Sequence, residues 1–425
     1  MSGERTCPEC GWQVAVLSGF PDWCDRCGWN LEAPHDPWVG TGRFAKIAEL
    51  AGRRAGDRMA SELASAGRLA PRVSPGKLGA YAIALGVHVL VLVLLVGGLA
   101  LILATFPNPI ALLLGVALAG LGLVMRPRLP SLPDDVRSLQ RAEAPVLHQL
   151  VDEVAGALER PPPDVIALDA DWNAGWIVAG PRRRRVLVLG LPIASALRPQ
   201  ELVAILGHEV AHDRNGDARR GLVVGSAVGA LDAVSQLLLP DDDRRMAEAG
   251  FGGFELLTAG LMRVLALPVD GALWLLARLL WRDMQRAEYL ADALGARVAG
   301  SQAMVEALET LMLQSAFALA VQRAAHDENG MDVMDRVREA VHGVPSRERE
   351  RRRRVARLEQ ARLEGTHPPT CKRIELLEQR PPQPSAVTLE TARAKRVDEE
   401  LRPFSAAAGT AILDAHRGAL YSGWR

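Results

Sequence analysis

The sequence predicts a mainly α-helical integral membrane protein with a small β-sheet and a separate cysteine-rich unit at its N-terminus. Residues 78–125 contain no Asp, Glu, Lys or Arg, and an apolar stretch of this length is typical of membrane-spanning helices. Much of the remaining chain places apolar residues at helical spacing, and short β-type runs lie between residues 165 and 190. Four cysteines form two Cys-x-x-Cys pairs before residue 30.

The cysteine pairs predict a zinc ribbon over residues 1–35. The segments CPECGW and CDRCGW are near repeats, and they supply Cys7, Cys10, Cys24 and Cys27. Two turns of this kind present four thiolates in the tetrahedral arrangement that structural Zn²⁺ takes. Two disulfides, or a rubredoxin-like iron site with the same ligands, are the alternatives. Cys371 stands apart, and we expect it to be a small buried residue.

The first apolar segment predicts a transmembrane hairpin over residues 78–130, after a linker at 36–77. The linker is rich in Gly, Ala and Arg, and its part between Phe44 and Leu69 has helical character. The run LGAYAIALGVHVLVLVLLVGGLALILATF is long enough to cross a bilayer, and PNP separates it from a shorter apolar run. For His88, inside the first span, we favour a neutral histidine that faces a neighbouring helix. A proton-relay or metal-binding residue is the alternative.

Charges around this hairpin indicate its orientation. Basic residues precede and follow it while the loop between its helices is uncharged; they are Arg53, Arg54, Arg58, Arg68, Arg72, Lys77, Arg126 and Arg128. The positive-inside rule then places both ends in the cytoplasm. That compartment is reducing, which favours a metal over disulfides at the four cysteines. Lys+Arg and Asp+Glu number 50 each, so the net charge gives no reason to expect a nucleic-acid partner.

Residues 131–380 combine helical patterns, short strands and two further apolar segments. Residues 134–162 are expected to be helical, and β-type runs follow at 165–168, 174–179 and 185–190. The PRRRR segment at 181–185 is a turn that is either solvated or in contact with lipid headgroups. The apolar segments at 221–281 predict a second membrane hairpin, although they include Asp232, Arg263, Asp270 and Arg278. Because a charge at the bilayer centre costs about 2.5–3.5 kcal/mol, amphipathic surface helices are the alternative.

The C-terminal part of the chain is expected to be helical and polar. The run SRERERRRRVARLEQARLEG begins at residue 346 and predicts a solvated helix face. Residues 381–425 are expected to form a peripheral helical tail of one or two helices.

The stretch AILGHEVAHDRNGDARR, residues 204–220, contains the pattern His-Glu-x-x-His. Residues four apart lie on one face of a helix, so His208 and His212 can both bind one zinc ion. Glu209 lies beside them and can act as general base towards a water molecule at the metal. Pro199 suits the first turn of the helix that this requires. A pair of satisfied buried histidines is the alternative, so the interpretation needs a third ligand.

A third ligand is available in the segment RAEYLAD. Glu288 and Asp292 are four residues apart and share one helical face. Glu288 can bind zinc, while Asp292 accepts a hydrogen bond from a ligand histidine and fixes its tautomer. Taken alone, the segment would be interpreted as a solvated helix with ordinary acidic residues.

In combination, these segments resemble a known family. A membrane hairpin, NAGWIVAG, HEVAHDRNGD, EYLAD and THPPTCKRIELLE occur in the order found in membrane zinc metallopeptidases of the HtpX type. These belong to peptidase family forty-eight of the gluzincins, which includes the CAAX prenyl proteases and the Oma-type mitochondrial proteases. The resemblance implies an integral membrane gluzincin metallopeptidase domain at residues 131–380, with the N-terminal zinc ribbon as an addition to the common pattern.

The resemblance also implies a role for each matching residue. His208, His212 and Glu288 would bind a catalytic Zn²⁺. Glu209 would be the catalytic base, and Asp292 would orient a histidine. An edge strand along the cleft would bind substrate by strand addition; it consists of Asn173, Ala174, Gly175, Trp176, Ile177, Val178, Ala179 and Gly180. The family segment usually opens Asn-Ala-Phe, and Trp176 is expected to take over the aromatic role.

The sequence therefore predicts a zinc-dependent endopeptidase, multi-pass in the cell membrane, with its zinc ribbon and active site on the cytoplasmic side. Its expected partners are polypeptide substrates and the lipid bilayer, with no nucleic acid; a protein partner for the ribbon is a further option. By resemblance, it would degrade damaged or misassembled membrane proteins. A catalytically inactive scaffold that binds partners through its ribbon is one alternative. A CAAX-type processing protease is another, and that type forms a chamber from more membrane helices than this chain supplies.

Overall fold

The computed structural model confirms a mainly helical protein with small sheets and an N-terminal cysteine cluster. It describes residues 2–31, 43–65, 74–128, 130–132, 136–180, 182–214, 221–239, 253–326, 332–358 and 367–422. Parts of several expected features lie outside the described residues: 66–69 of the linker helix, Pro181 of the arginine turn, the loop between the second pair of apolar segments at 240–252, and 359–365 of the arginine-rich run.

The strands of the described residues are β1 (Ser2–Thr6), β2 (Gln13–Leu17), β3 (Arg137–Leu139), β4 (Val165–Asp169), β5 (Ala174–Ala179) and β6 (Arg184–Gly190). The helices before the second apolar pair are α1 (Arg43–Ser65), α2 (Pro75–Thr105), α3 (Pro109–Val124), α4 (Pro145–Ala157), α5 (Leu191–Ala196) and α6 (Pro199–Arg214). A π-helical turn (Gly221–Gly225) then leads into α7 (Ser226–Leu238) and α8 (Gly253–Ala299). The later helices are α9 (Ser301–Leu311), α10 (Gln314–Ala325), α11 (Val333–His342), α12 (Ser346–Leu358), α13 (Thr370–Gln379) and α14 (Thr391–Ser422).

By length and composition, three helices among the described residues are able to cross a membrane: Pro75–Thr105, Gly221–Leu238 and Thr258–Ala299. Helix α3 is apolar but shorter, with 16 residues. Helices α9 and α10 meet at 48° and would add a fourth candidate if they formed one bent span. Most side chains of the three candidate spans face outwards from the protein, as expected for helices that contact lipid.

Helices α2 and α3 pack closely because glycines remove the side chains between them. A Cβ added at Gly98 would lie 2.7 Å from the backbone nitrogen of Ala119, and one at Gly115 would lie 2.6 Å from Ile102 Cγ1. Small residues of this kind allow tight helix packing in membranes. Asn108 begins α3 by accepting two backbone N–H groups of its first turn. The hairpin of the sequence analysis is therefore one packed unit.

The second pair of apolar helices, α7 and α8, packs against α2. Polar groups in the pair meet one another, since the Ser235 hydroxyl donates to Asp270 Oδ1 over 3.0 Å. His88 of α2 faces this pair: its Nε2 lies 3.0 Å from Val223 O and 3.3 Å from Ser226 Oγ. These contacts agree with the favoured interpretation of His88. Three further charged residues named for this segment are exposed: Asp232, Arg263 and Arg278.

A four-stranded sheet in the order β3-β4-β6-β5 forms one side of the helical domain. β4 and β6 are parallel, and the other two pairings are antiparallel. The expectation of a helix throughout 134–162 is wrong at its start, because Arg137–Leu139 is a strand that pairs with β4. Its backbone partners come from a segment distant in sequence, and local periodicity does not reveal such pairing. Among the described residues of this region, 136–162, the helix is α4 alone.

The largest hydrophobic core joins α4, α6, the end of α8, α9 to α11 and part of α14. The C-terminal helix therefore differs from the expected peripheral tail, since Val397 and Leu401 are buried in this core. Glu400 also accepts the backbone N–H groups of Val146 and Leu147, over 2.8 and 2.9 Å. This side chain satisfies donors at the start of α4 that have no partner within the helix.

The linker helix α1 also packs on the domain. Met59 and Leu63 are buried in a small cluster with Trp281 of α8 and Leu376 of α13. The linker prediction allowed a helix here but did not include this packing of α1 against the domain. Cys371 is buried, as expected, and its thiol donates to Ala356 O over 3.2 Å.

The arginine-rich helix α12 does not present its charged side chains mainly to solvent, because most of them form ion pairs within the protein. Glu348 is 1% exposed and binds both Arg351 and Arg352. Arg353 lies 3.1 Å from Glu309 of α9, and Arg357 lies 3.2 Å from Glu375 of α13. The expectation was wrong because these arginines point in several directions and meet acids of neighbouring helices. Helix α12 is therefore joined to α9 and α13 by ion pairs.

Candidate metal centres

Helices α6 and α8 cross where each carries a glycine. A Cβ at Gly207 would lie 3.2 Å from Gly295 Cα, and one at Gly295 would lie 3.0 Å from Ala204 O and 3.3 Å from the backbone nitrogen of His208. These distances are shorter than ordinary side-chain contacts, so the two backbones approach closely only because side chains are absent. The crossing brings the RAEYLAD segment of α8 against the His-Glu-x-x-His turn of α6.

The three residues named as zinc ligands lie together in this crossing. His208 Nε2 and His212 Nε2 are 3.3 Å apart, and Glu288 places Oε2 3.6 Å from the first and Oε1 3.6 Å from the second. His208 is 5% exposed and Glu288 is 6% exposed. Three ligand atoms at about 2.0–2.1 Å from a tetrahedral Zn²⁺ would be separated by about 3.3–3.4 Å. The cluster therefore fits zinc in both ligand type and spacing.

The carboxylate of Glu288 gives a second indication of a cation at this position. Its Oε2 is buried and lies 2.9 Å from His367 Nδ1 and 3.7 Å from Arg373 Nη2. Burial of a carboxylate is unfavourable unless positive charge or hydrogen bonds compensate it, and a metal ion bound here would add such compensation. Glu209 follows His208 on α6 and is 7% exposed. The base expected from the sequence thus lies next to the ligand set, away from bulk water.

Asp292 contacts His208 at Nδ1, the ring nitrogen that does not face the other candidate ligands. Its Oδ1 lies 3.0 Å from His208 Nδ1, and the residue is 1% exposed. A proton held on Nδ1 by this carboxylate leaves Nε2 free to bind a metal. Asp292 is itself paired with Arg373, whose Nε and Nη2 donate to its two oxygens over 2.8 and 2.6 Å. Burial alone would lower the pKa of Arg373, but the adjacent carboxylate of Asp292 raises it above its usual range.

Arg373 and His367 are residues to which the sequence analysis gave no role. They belong to the THPPTCKRIELLE segment, which contributed to the family resemblance only as a motif. Arg373 is 6% exposed, and an arginine in a charged helix gives no local indication of such burial. Its partners are on α8, so only the tertiary packing of α13 identifies it. His367 was equally recognisable as a histidine before two prolines, but nothing in the sequence placed it near Glu288.

The expected substrate segment is strand β5 with one residue on either side. Among the described residues, β5 pairs only with β6, so it is the edge of the sheet. Gly190 contacts the residues that lead into β5. Its N–H donates to Asn173 O over 2.9 Å, and a Cβ at Gly190 would lie 2.0 Å from Asp171 O. Trp176 packs on the main core, and its buried indole N–H has no acceptor among the described residues.

The four N-terminal cysteines form the second candidate metal centre. Cys7 and Cys27 sulfurs are 3.7 Å apart, and those of Cys10 and Cys24 are 3.6 Å apart. Disulfides require about 2.05 Å, whereas a tetrahedral site with metal–sulfur distances of about 2.3 Å gives about 3.8 Å between sulfurs. The arrangement fits a metal, and it does not distinguish zinc from iron.

The two cysteine turns have the same backbone structure. In each turn the N–H of the first cysteine, Cys7 or Cys24, donates to the carbonyl oxygen five residues later. Each turn also contains a glycine with positive φ, Gly11 at 69° and Gly28 at 76°. Only glycine adopts that conformation without strain. The sequence repeat is therefore also a structural repeat.

Comparisons with known proteins bear on the larger domain. The family model described as Peptidase family M48 matches residues 141–381. The chain is 30% identical over 170 residues to a Protease HtpX homolog of Aquifex aeolicus, which covers 39% of this chain and 54% of that protein. It is 27% identical over 245 residues to a Protease HtpX homolog of Salinibacter ruber, covering 57% of this chain and 76% of that protein. No solved structure matches the chain significantly.

The family match includes both helices of the candidate His–Glu metal cluster. It excludes the cysteine hairpin, which is the N-terminal unit of β1, β2 and the two cysteine turns at residues 2–31. A Protease HtpX homolog of Methanocaldococcus jannaschii is 27% identical over 159 residues, or 50% of its length. The chain thus spans about half the length of this relative and of the Aquifex one. The match from residue 141 to residue 381 contains His208, His212 and Glu288 with their supporting Asp292 and Arg373, and by this match the chain belongs to peptidase family M48.

Proposed function

We propose that this protein is a zinc-dependent endopeptidase that hydrolyses peptide bonds in polypeptides at a membrane. The observation that carries the proposal is the buried cluster of His208, His212 and Glu288, with Glu209 beside it. Two imidazoles and one carboxylate are a ligand set of catalytic zinc sites, which use three protein ligands and keep one position open.

His208 and His212 would hold the ion through Nε2, and Glu288 would hold it through its carboxylate. When bound, zinc supplies Lewis acidity that polarises a carbonyl group and lowers the pKa of water. The four cysteines would hold a second, structural ion, and four thiolates leave no position for chemistry.

Glu209 is the group that we assign to proton transfer. Its carboxylate would take a proton from the attacking water and deliver it to the nitrogen of the leaving amine. Its low exposure supports this role, because burial removes the solvent that would otherwise compete for the proton. Asp292 keeps the proton of His208 on Nδ1, and Arg373 compensates the charge of Asp292 so that this buried carboxylate stays ionised.

Substrate would bind along β5 by strand addition. The free edge of β5 offers backbone N–H and C=O groups that pair with any extended peptide. Main-chain pairing does not depend on substrate side chains, so we expect broad sequence specificity. The segment Asn173 to Gly180 is the proposed binding strand.

We also propose that the metal clusters face the cytoplasm and that the substrates are damaged or misassembled membrane proteins. The basic residues on both sides of the first hairpin support the orientation. The apolar helices support the substrate class, since they place the domain beside the bilayer. Protection of an N-terminal tag from externally added protease in intact cells checks the orientation, and digestion of the tag in intact cells would contradict it.

The test of the activity is digestion of unfolded casein by the purified, zinc-loaded protein in detergent. Glu209→Gln should retain zinc and lose activity by about 10²–10⁴-fold, the usual contribution of a general base. Glu306→Gln on α9 is the matched control and should cut like the wild type. If Glu209→Gln cuts as fast as the wild type, the assignment is wrong. If zinc is found only on the four cysteines and casein remains intact, the alternative of an inactive scaffold gains support.

A further inference from the structure

A cavity of about 1330 Å³ lies between the cysteine hairpin and the helical domain. One wall is the loop after β2, residues 18–21, and the other walls come from α10, α11, α12, the end of α14 and residues 170–172. The ligands of the His–Glu cluster do not line it, so it is distinct from the catalytic centre. Its volume exceeds the usual 300–1,000 Å³ of small-molecule pockets.

The cysteine hairpin is fixed on α12 by one tryptophan. Trp23 is 2% exposed, and the guanidinium carbons of Arg347 and Arg354 lie 4.7 and 5.0 Å from its ring centroid. Arg347 also donates to Trp23 O over 2.8 Å, and Arg354 donates to Asp25 O. Residues seven apart share one helix face, so both cations hold the same ring. Trp23 precedes Cys24, and the docked ring therefore ties the cysteine cluster to the helical domain.

The cavity reaches the residues that lead into β5. Residues 170–172 line it, and β5 begins two residues later. Trp172 is held at this position by a stacked contact with Phe317, with ring centroids 5.2 Å apart, and its indole N–H donates to Leu311 O over 3.2 Å. The opposite end of β5 lies near the membrane hairpin, because the Gly180 N–H donates to Pro130 O over 2.8 Å. β5 thus runs from the cavity at its start to the membrane hairpin at its end.

We propose that the cavity binds the part of a polypeptide substrate that continues beyond β5, and that the cysteine hairpin supplies one wall of this extended subsite. The inference rests on the proposed function, since it takes β5 as the substrate strand. Six residues of strand span about 20 Å at about 3.3 Å per residue. Residues 170–172, just before β5, line the cavity, so a polypeptide that pairs with all of β5 and extends past its start would enter it.

The walls indicate which polypeptide segment fits. Apolar side chains line part of the cavity: Phe20 of the cysteine hairpin, and Phe317 and Leu319 of α10. Leu319 is 44% exposed. Charges of both signs line the cavity, and Glu348 already binds Arg351 and Arg352. The lining is therefore neither strongly cationic nor strongly anionic. The occupant is an unfolded segment with apolar side chains, such as a segment of a membrane protein that has lost its fold.

The first experiment locates a bound chain directly. Leu319 is replaced by p-benzoylphenylalanine in the full-length protein that carries Glu209→Gln, and reduced carboxymethylated casein is the probe. Leu358 is the matched control position, since it is 45% exposed and does not line the cavity. Irradiation should give at least about five times more casein adduct from position 319 than from position 358. Equal yields from the two positions would overturn the proposal.

The second experiment measures the dependence on substrate length. Trp23→Ala should raise KM for a peptide of twenty residues at least about fivefold and leave KM for a peptide of six residues unchanged, because only the longer peptide reaches the hairpin. Trp12→Ala is the control: Trp12 is 47% exposed on the same hairpin and does not line the cavity. A KM that is unchanged for both peptides, or raised equally for both, contradicts the inference.

These outcomes are separable from a failure of the proposed function. If Glu209 is not the base, the comparison of Glu209→Gln with wild type on casein reveals it, while the adduct yields still report whether the cavity holds a chain. Metal analysis of Trp23→Ala should give the same metal content as the wild type, which shows that the cysteine cluster survives the substitution.

Discussion

The two candidate metal centres of this protein are built in opposite ways. The cysteine cluster takes all its ligands from residues 7–27, in two turns with the same hydrogen bonds. The His–Glu cluster takes its candidate ligands from α6 and α8, which are far apart in the chain, and the supporting Asp292 is paired with Arg373 from α13. A local centre needs only turn geometry, whereas a centre made from crossing helices needs the packing of the whole domain. The first should therefore tolerate changes in the domain that the second does not.

The largest expected effect comes from removing one ligand of each centre. His212→Ala should leave one bound metal of two and reduce peptidase activity by at least about 10³-fold, since the metal contributes several kcal/mol of transition-state stabilisation. Cys24→Ser should also leave one metal but retain activity on a short peptide. Mass spectrometry of metal content beside peptide assays checks both. Loss of both metals from either variant would show that the centres are not independent.

A smaller effect is expected at the support of the helical centre. Arg373→Leu leaves Asp292 buried without its cation, and breaking such a pair costs about 3–5 kcal/mol. The adjacent Lys372→Met breaks partly exposed ion pairs with Asp57 and Glu375, and pairs of this kind contribute about 0–1 kcal/mol each. Thermal unfolding in detergent and zinc affinity should separate the two variants. Equal stability of both would mean that Arg373 does not support the centre.

The smallest effect is expected at the helix crossing itself. Gly295→Ala should destabilise the protein by about 1–3 kcal/mol through overpacking and should weaken zinc binding at the helical centre. Gly271→Ala in the same helix meets no atom within 4 Å and should be neutral or stabilising by up to about 1 kcal/mol. Both variants should keep the metal of the cysteine cluster. A Gly295→Ala protein with unchanged zinc affinity would show that the close approach is not needed.

The same contrast explains how much the sequence could predict. The repeats around Cys7 and Cys24 indicated both the ligands and the turn, because all the information lies within a few residues. His208, His212, Glu288 and Asp292 could be proposed from four-residue spacing and resemblance, and the structure brings them together. Arg373 and His367 could not, because their roles exist only when α13 packs against α8.

Tertiary contact also accounts for the misjudged elements. Strand β3 acquires its partners from β4, and the arginines of α12 acquire theirs from α9, α13 and the cysteine hairpin. The C-terminal helix looked peripheral because its buried residues, such as Val397 and Leu401, lie among charged neighbours in the segment AKRVDEELR. In each case the local pattern predicted a helix, a solvated face or a peripheral tail, because the distant residues that contact the segment are not visible in the local sequence.

Helix α8 has a consequence for any attempt to isolate the catalytic part. It is one continuous helix from Gly253 to Ala299, and its apolar segment and its two acidic residues, Glu288 and Asp292, belong to the same rod. No loop separates the lipid-facing portion from the metal ligands, so there is no natural point at which to cut. A fragment that begins within this helix would separate Glu288 from the apolar turns that precede it in the same helix. Lipid or detergent for the apolar half therefore belongs in a preparation meant to keep the candidate ligands in their native helix.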